Sequence, residues 1–196
     1  TQGIIQVVLN SKLSFDYKEL IEKAYEIFSS DKKVLEKDVV KDVTEFFKQR
    51  IINVLSEKYQ KDLINYEINL ESNVVELDKK LSELLKLSQT ENFEILINLL
   101  KRVKNIVKDE KNENLNIDST LFQLEEEKTL YNLANQLENI ENTDFSNYIE
   151  TLLNNASTIN QFFDNVIINV DNEKLKENRI ALLKKLEISI DKMINI

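Results

Sequence analysis

An all-α fold follows from three features of the sequence. Proline is absent, glycine occurs once, at Gly3, and apolar residues recur at steps of three and four along most of the chain. Sheets and irregular loops draw on glycine and proline for their turns, whereas both residues weaken helices. The expected architecture is a helical bundle of about eight or nine helices joined mostly by short turns.

The elements can be justified in order. Asp16 opens a helix, with Glu19 three residues on in capping-box spacing. Leu20, Ile21, Ala24, Ile27 and Phe28 line one face of it. In the next helix Val39, Val43, Phe46, Phe47, Arg50, Ile51, Val54 and Leu55 step by three and four. A shorter segment runs from Asp62 to about Leu70, and Val74, Leu77, Leu81, Leu84 and Leu85 mark another helix. Thr90 can cap a helix that turns Phe93, Leu96, Ile97, Leu100, Val103 and Val107 inward. Residues 109–118 have no period and many charges, which makes them the candidate flexible loop. Helices resume over roughly 123–140, 144–154, 157–168 and 172–194. Ile159, Phe162, Phe163, Val166 and Ile167 form one apolar stripe. Leu175, Leu182, Leu183, Leu186 and Ile190 form the last.

No fixed-period repeat points to a solenoid. The 196 residues suit one domain, 1–196, better than two lobes divided at 109–118, because each half alone would have a small core. No long uncharged apolar run predicts a membrane helix. The first residues lack the pattern of a secretory signal. They also lack a starting Met, so the sequence is expected to begin partway into a longer chain. Enrichment in Asn, Lys, Ile and Glu suggests an AT-rich genome.

Absences narrow the chemistry. Without Cys there is no disulfide, thiolate nucleophile or zinc–sulfur site, and such a chain suits the cytosol. Without His the commonest neutral-pH base and transition-metal ligand are missing. One glycine cannot build a phosphate loop. Glu125, Glu126 and Glu127 are consecutive, so on a helix they point about 100° apart and cannot converge on one site; they read as a solvated acidic face. No residue is expected to be catalytic or to bind metal.

The net charge of −9 argues, taken alone, against a nucleic-acid binder. Its distribution argues otherwise at one place. Residues 101–108 carry Lys101, Arg102, Lys104 and Lys108 with no acid among them. Lys101, Lys104, Asn105 and Lys108 stand at i, i+3, i+4 and i+7, on one side of a helix. Such a stripe repels itself until an anion neutralises it. A phosphate-contacting helix and a solvated face balanced by acids of other helices weigh about equally on charge alone. Exposed tyrosines could stack on unpaired bases; Tyr17, Tyr25, Tyr59, Tyr66, Tyr131 and Tyr148 are the candidates, none singled out. Arg50 and Arg179 fall on apolar stripes, where a charge must snorkel or find a partner. Asp164, beside Phe163, is the expected partner of Arg179 in a structural ion pair.

Several segments carry a resemblance. Gln161-Phe162-Phe163-Asp164-Asn165-Val166-Ile167-Ile168-Asn169 with Asn178-Arg179-Ile180-Ala181-Leu182-Leu183 resembles the FFDxVxV…NRLALL pattern near the end of the bacterial glycyl-tRNA synthetase β-subunit. Lys101-Arg102-Val103-Lys104-Asn105-Ile106 is similar to its KRxxNI segment, and Phe46-Phe47 with Arg50 to its F-x-x-x-R helix. Glu127-Lys128 with Leu130-Tyr131 resembles the E-x-x-L segment between, and Gly3-Ile4-Ile5 the stretch at which this region begins. Asp62-Leu63-Ile64-Asn65-Tyr66 matches the D-x-I-x-A segment only loosely. The matches follow family order across nearly the whole chain.

The resemblance implies an all-α, DALR-like anticodon-binding region, related to that of arginyl-tRNA synthetase. It implies tRNA binding in support of glycyl-tRNA formation, without catalysis in these residues. No cofactor is expected here, since ATP and magnesium are used through the α-subunit. The implied partners are a glycine tRNA and the α-subunit, reached through the parent chain, with neither membrane nor DNA, and the implied location is the cytoplasm. Lys101, Arg102, Lys104, Asn105 and Lys108 are the expected RNA-contacting residues. The competing reading is a helical protein–protein module that binds no RNA. A stand-alone enzyme fits poorly, because the usual nucleophile–base sets need His or Cys.

Overall fold

The computed structural model describes residues 2–30, 38–67, 71–108, 116–141 and 144–194. These residues form ten α-helices and one short 3-10 turn, with no strand. The count exceeds the expected eight or nine because residues Gln2–Ser11 are also helical. Gly3 and a run of β-branched residues hide that helix from a propensity reading. Ile5 and Val8, one turn apart, are its buried side.

The chain clusters into two compact units, 1–86 and 87–196. The sequence had offered 109–118 as the place where a single domain could divide. The division falls instead between Lys86 and Leu87, and 109–115 lie outside the described residues.

In unit 1, α1 (Gln2–Ser11) and α2 (Tyr17–Ser30) pack on α3 (Val39–Leu55), which also meets α4 (Lys61–Glu67). The helix α5 (Val74–Leu87) closes the unit. Its core is Ile5, Val8, Ile51, Leu55, Leu63, Ile64, Leu77, Leu81 and Leu84. Asp16 starts α2 as expected: its carboxylate accepts the N–H groups of Lys18 at 2.8 Å and Glu19 at 3.0 Å. Asn73 does the same for α5 through Val75 and Glu76. The two caps are tied together, since Ser72 donates to Asp16 and the backbone N–H of Tyr17 donates to the Ser72 carbonyl at 3.2 Å. Tyr17 stacks on Phe47 with ring centroids 5.6 Å apart.

Two features of unit 1 depart from a simple core. The stripe Leu20, Ile27 and Phe28 on α2 and the N-terminal part of the α3 stripe, Val43 and Phe46, are exposed. Between α2 and α3 lies an almost wholly apolar groove of about 350 Å³, lined by Ile21, Ala24, Tyr25, Phe28, Val39, Val40 and Val43. Arg50 resolves its position on that stripe by lying over Phe46, 4.8 Å from the ring centre. Deeper in, Glu67 is fully buried and neither carboxylate oxygen has a hydrogen-bond partner among the described residues. Burial pushes its pKa up to about 8; the charge of Lys80 opposes this and that of Glu71 adds to it. Lys80 is itself buried, with its ammonium 3.5 Å from Glu71.

Unit 2 is built around α10 (Glu173–Asp191), which packs against α6 (Glu91–Val107) and α7 (Glu125–Glu138). The helix α9 (Ala156–Asn165) bridges α6 and α7, and α8 (Phe145–Asn154) meets α6, α7 and α9. A 3-10 turn at Ser119–Leu121 precedes α7. Leu175, Leu182, Leu183, Leu186 and Ile190 are buried, and so are Asn178, Arg179, Ile180 and Ala181, so α10 is covered on most sides. Asn172 starts it by accepting the N–H of Leu175 at 3.2 Å. Tyr148 of α8 donates to the carbonyls of Ser189 and Ile190 near its other end. Thr90 stands at the start of α6 but does not cap it; its hydroxyl donates back to the Leu87 carbonyl at 2.7 Å. The expected 157–168 helix stops at Asn165, so Val166 still reaches the core while Ile167 is left exposed. No described helix is long and apolar enough to cross a membrane.

Candidate nucleic-acid interface

The site is a matter of how α6 is rotated. Leu96, Leu99, Leu100, Val103 and Val107 are buried, which fixes the inward side. A helix turns about 100° per residue, so Lys101, Asn105 and Lys108 fall opposite that side, and all three are exposed. Among the described residues neither Lys101 nor Lys108 enters an ion pair.

Arg102 and Lys104 lie on the two flanks and are only half-exposed. Arg102 leans toward α9. Its guanidinium donates to Asn160 Oδ1 and Asp164 Oδ1, both at 3.0 Å, and sits 4.6 Å from the centre of the Phe163 ring. Lys104 leans toward α10, with its ammonium 2.9 Å from Asp191 Oδ1. A second acid, Glu187, lies close by: burial raises its pKa, the charge of Asp191 raises it further, and Lys104 and Lys184 oppose them. The five expected contact residues therefore divide. Lys101, Asn105 and Lys108 form an outward ridge, and Arg102 and Lys104 are neutralised beside it. The spacing rule grouped Lys104 with the ridge because i and i+3 are neighbours, but three residues fall short of a full turn and bring it round to the acids of α10.

The expected pairing of Asp164 with Arg179 is corrected. Arg179 is buried and donates from Nε to Glu127 Oε1 at 2.8 Å and from Nη1 to the Ile167 carbonyl at 2.7 Å. Asp164 is on the outer side of α9 and serves Arg102 instead. Glu127 is likewise no part of a solvated face. It is 0% exposed, and its other oxygen accepts the N–H groups of Gln123 at 2.7 Å and Leu124 at 2.9 Å. Burial alone would raise its carboxyl, but the bonds from Arg179 and from Leu124 and Gln123 outweigh this and hold it below the usual glutamate value.

Sequence reasoning also passed over Asn178. Its amide accepts the N–H of Asp118 at 2.8 Å and donates to the Asp118 carbonyl at 3.1 Å, pairing with that backbone as a strand neighbour would. The available signal was a polar pair, Asn178-Arg179, on an otherwise apolar stripe. Of the tyrosines, Tyr17, Tyr59 and Tyr148 are buried, while Tyr25, Tyr66 and Tyr131 are half-buried. Among the described residues no group of three carboxylates is arranged to hold a metal.

Unit 2 is thus a helical bundle that carries a cationic ridge on α6 and a central helix, α10, held by its buried Asn178 and Arg179. The profile of the DALR anticodon binding domain family matches residues 96–196, just over half of the chain, and the chain belongs to that family. The match lies wholly within unit 2. Over its greater length the chain is similar to the glycine–tRNA ligase beta subunit of Rickettsia africae (strain ESF-5), 29% identical over 198 residues, covering 97% of this chain and 28% of that protein. The corresponding subunit of Rickettsia canadensis (strain McKiel) is 30% identical over 190 residues, 93% and 27% of the two chains. That of Rickettsia bellii (strain OSU 85-389) is 28% identical over 183 residues, 93% and 26%. The chain thus spans somewhat over a quarter of the length of these curated relatives.

Proposed function

We propose that this chain is the anticodon-binding end of a glycine–tRNA ligase β-subunit and that the outward ridge of α6 holds the tRNA. The observation that carries the reading is the pair of exposed ammonium groups on Lys101 and Lys108, with Asn105 between them, which among the described residues enter no ion pair and stand between two ion-paired flanks. Phosphate contacts of this kind set the position of an RNA, while polar side chains beside them meet the bases of a single-stranded loop. The remaining negative charge disfavours non-specific RNA binding. In this reading the chain performs no chemistry. Glycine activation, with its ATP and magnesium, belongs to the α-subunit, which the parent chain engages in the cytoplasm.

Charge reversal of Lys101 and Lys108 together tests it. Affinity for a glycine tRNA should fall at least about tenfold, and the slope of log affinity against log salt should flatten by about 1.4. Unchanged affinity and slope would overturn the assignment of the ridge. The apolar groove of unit 1 favours a second reading, protein contact without RNA; under it the unsubstituted chain shows no tRNA binding at any salt concentration.

A further inference from the structure

We propose that Arg102 is a stacking shelf for one unpaired nucleobase of the bound RNA: its guanidinium lies on the Phe163 ring and is held at both ends by Asn160 and Asp164, at the edge of the Lys101–Asn105–Lys108 ridge. The proposal rests on the RNA-binding reading above and names what the α9 flank of α6 takes. Two segments distant in sequence, Lys101-Arg102 and Phe163-Asp164, meet to build it.

The geometry distinguishes this role from phosphate binding. Two donors of Arg102 are spent on Asn160 Oδ1 and Asp164 Oδ1, each at 3.0 Å, and the charge is offset by the carboxylate. Its guanidinium carbon stands over the Phe163 ring, 4.6 Å from the centroid. The side chain nevertheless keeps 41% of its surface exposed. What remains is a flat, weakly hydrated face whose orientation is already fixed, the surface on which an aromatic base stacks.

Stability does not account for the arrangement. An exposed ion pair returns little against the rotamer freedom an arginine loses, and α6 and α9 are already joined by buried Leu99, Val103, Ile159 and Phe162 in one core. Ordering a planar cation before the ligand arrives does lower the cost of binding. Lys101 precedes Arg102 and Asn105 follows it by about one turn. A strand whose phosphates follow the ridge can therefore turn a base onto the shelf, with the Asn105 amide near its edge.

The test uses the full chain and the anticodon stem–loop of a glycine tRNA carrying 2-aminopurine at one loop position at a time. Stacking quenches that fluorophore, so one position should quench on binding. With Arg102→Lys, which keeps the charge and loses the plane, that quenching should disappear and affinity should fall about tenfold with the salt slope unchanged. Phe163→Leu, which removes the support beneath the plane, should act in the same direction. An abasic loop at that position should bind the original chain and both variants equally. The shelf is refuted if Arg102→Lys leaves quenching and affinity intact, or if its loss persists on the abasic loop. Failure of the original chain to bind the stem–loop at all removes the RNA-binding reading itself, and the shelf with it.

Discussion

Replacing Glu127 by glutamine removes one charge and almost no volume, yet the structure implies a loss close to that of truncation. Oε1 accepts the Arg179 Nε–H at 2.8 Å, and Oε2 accepts the N–H groups of Gln123 and Leu124. A glutamine has one acceptor oxygen and one NH2 group. If its oxygen faces Arg179, the NH2 meets two backbone donors; if it faces those donors, the NH2 meets the guanidinium. Either orientation sets donor against donor in a fully buried place. Breaking a buried pair from one side costs about 3–5 kcal/mol, and Glu127→Gln should fall near the lower end of that range.

Hydrogen exchange of the amides in α7 and α10 is the suitable assay, because it reads unit 2 without assuming that both units unfold together. Protection in α10 should drop by at least a hundredfold. Replacing Glu127 by Leu and Arg179 by Met together should recover part of the loss, since an apolar pair leaves no buried charge. Protection in Glu127→Gln equal to that of the original chain would refute the reasoning. The pH dependence follows with its sign. The folded carboxyl titrates below its ordinary value of 4.5, so the pair contributes fully above that value, and its contribution is lost as pH falls through the lower folded one.

Glu67 should show the opposite sign: its pKa is raised to about 8, so its contribution is full below about 4.5 and lost as pH rises through 8. Glu67→Gln should flatten that decline and stabilise unit 1 at pH 8 by roughly 2–4 kcal/mol, read from urea unfolding at several pH values. Asn178→Ala should expose the Asp118 amide to fast exchange and cost about 1–3 kcal/mol, because two backbone groups lose their partner. Moving the only glycine should help α1. Gly3 has nothing within 4 Å of an added Cβ, whereas Lys12 sits at φ 54° just past the helix end. Gly3→Ala and Lys12→Gly should each stabilise α1 by up to about 1 kcal/mol, visible as slower amide exchange there.

The sequence and the structure agree where burial follows a helical period, as in the stripes of α6 and α10. They part where apolar period and burial separate: Leu20, Ile27 and Phe28 keep a helical spacing but face outward. Period shows that a face exists and not what covers it. The site was legible in the same limited sense. The cluster at 101–108 could be seen as charge, but which cations stay unneutralised depends on acids from α9 and α10, brought near only by the fold. Glu127 was hidden by its neighbours, because three consecutive glutamates look alike until the helix start shows which one turns inward. Asp164 was matched to the wrong arginine for a related reason: nearness to an apolar stripe does not say on which side of the helix a residue points.

The caps at Asp16, Asn73, Asp144 and Asn172, and the Asn178 grip on the Asp118 backbone, are all made by side-chain hydrogen bonds. Among the described residues only Lys12 has a positive φ outside glycine, and Gly3 does not need one. At these described places asparagine and aspartate take the part that glycine and proline often play in other proteins. Asparagine codons are rich in A and T, whereas those of glycine and proline are rich in G and C. A gene under pressure toward A and T can thus drift a long way in codon content while these described turns keep their hydrogen bonds.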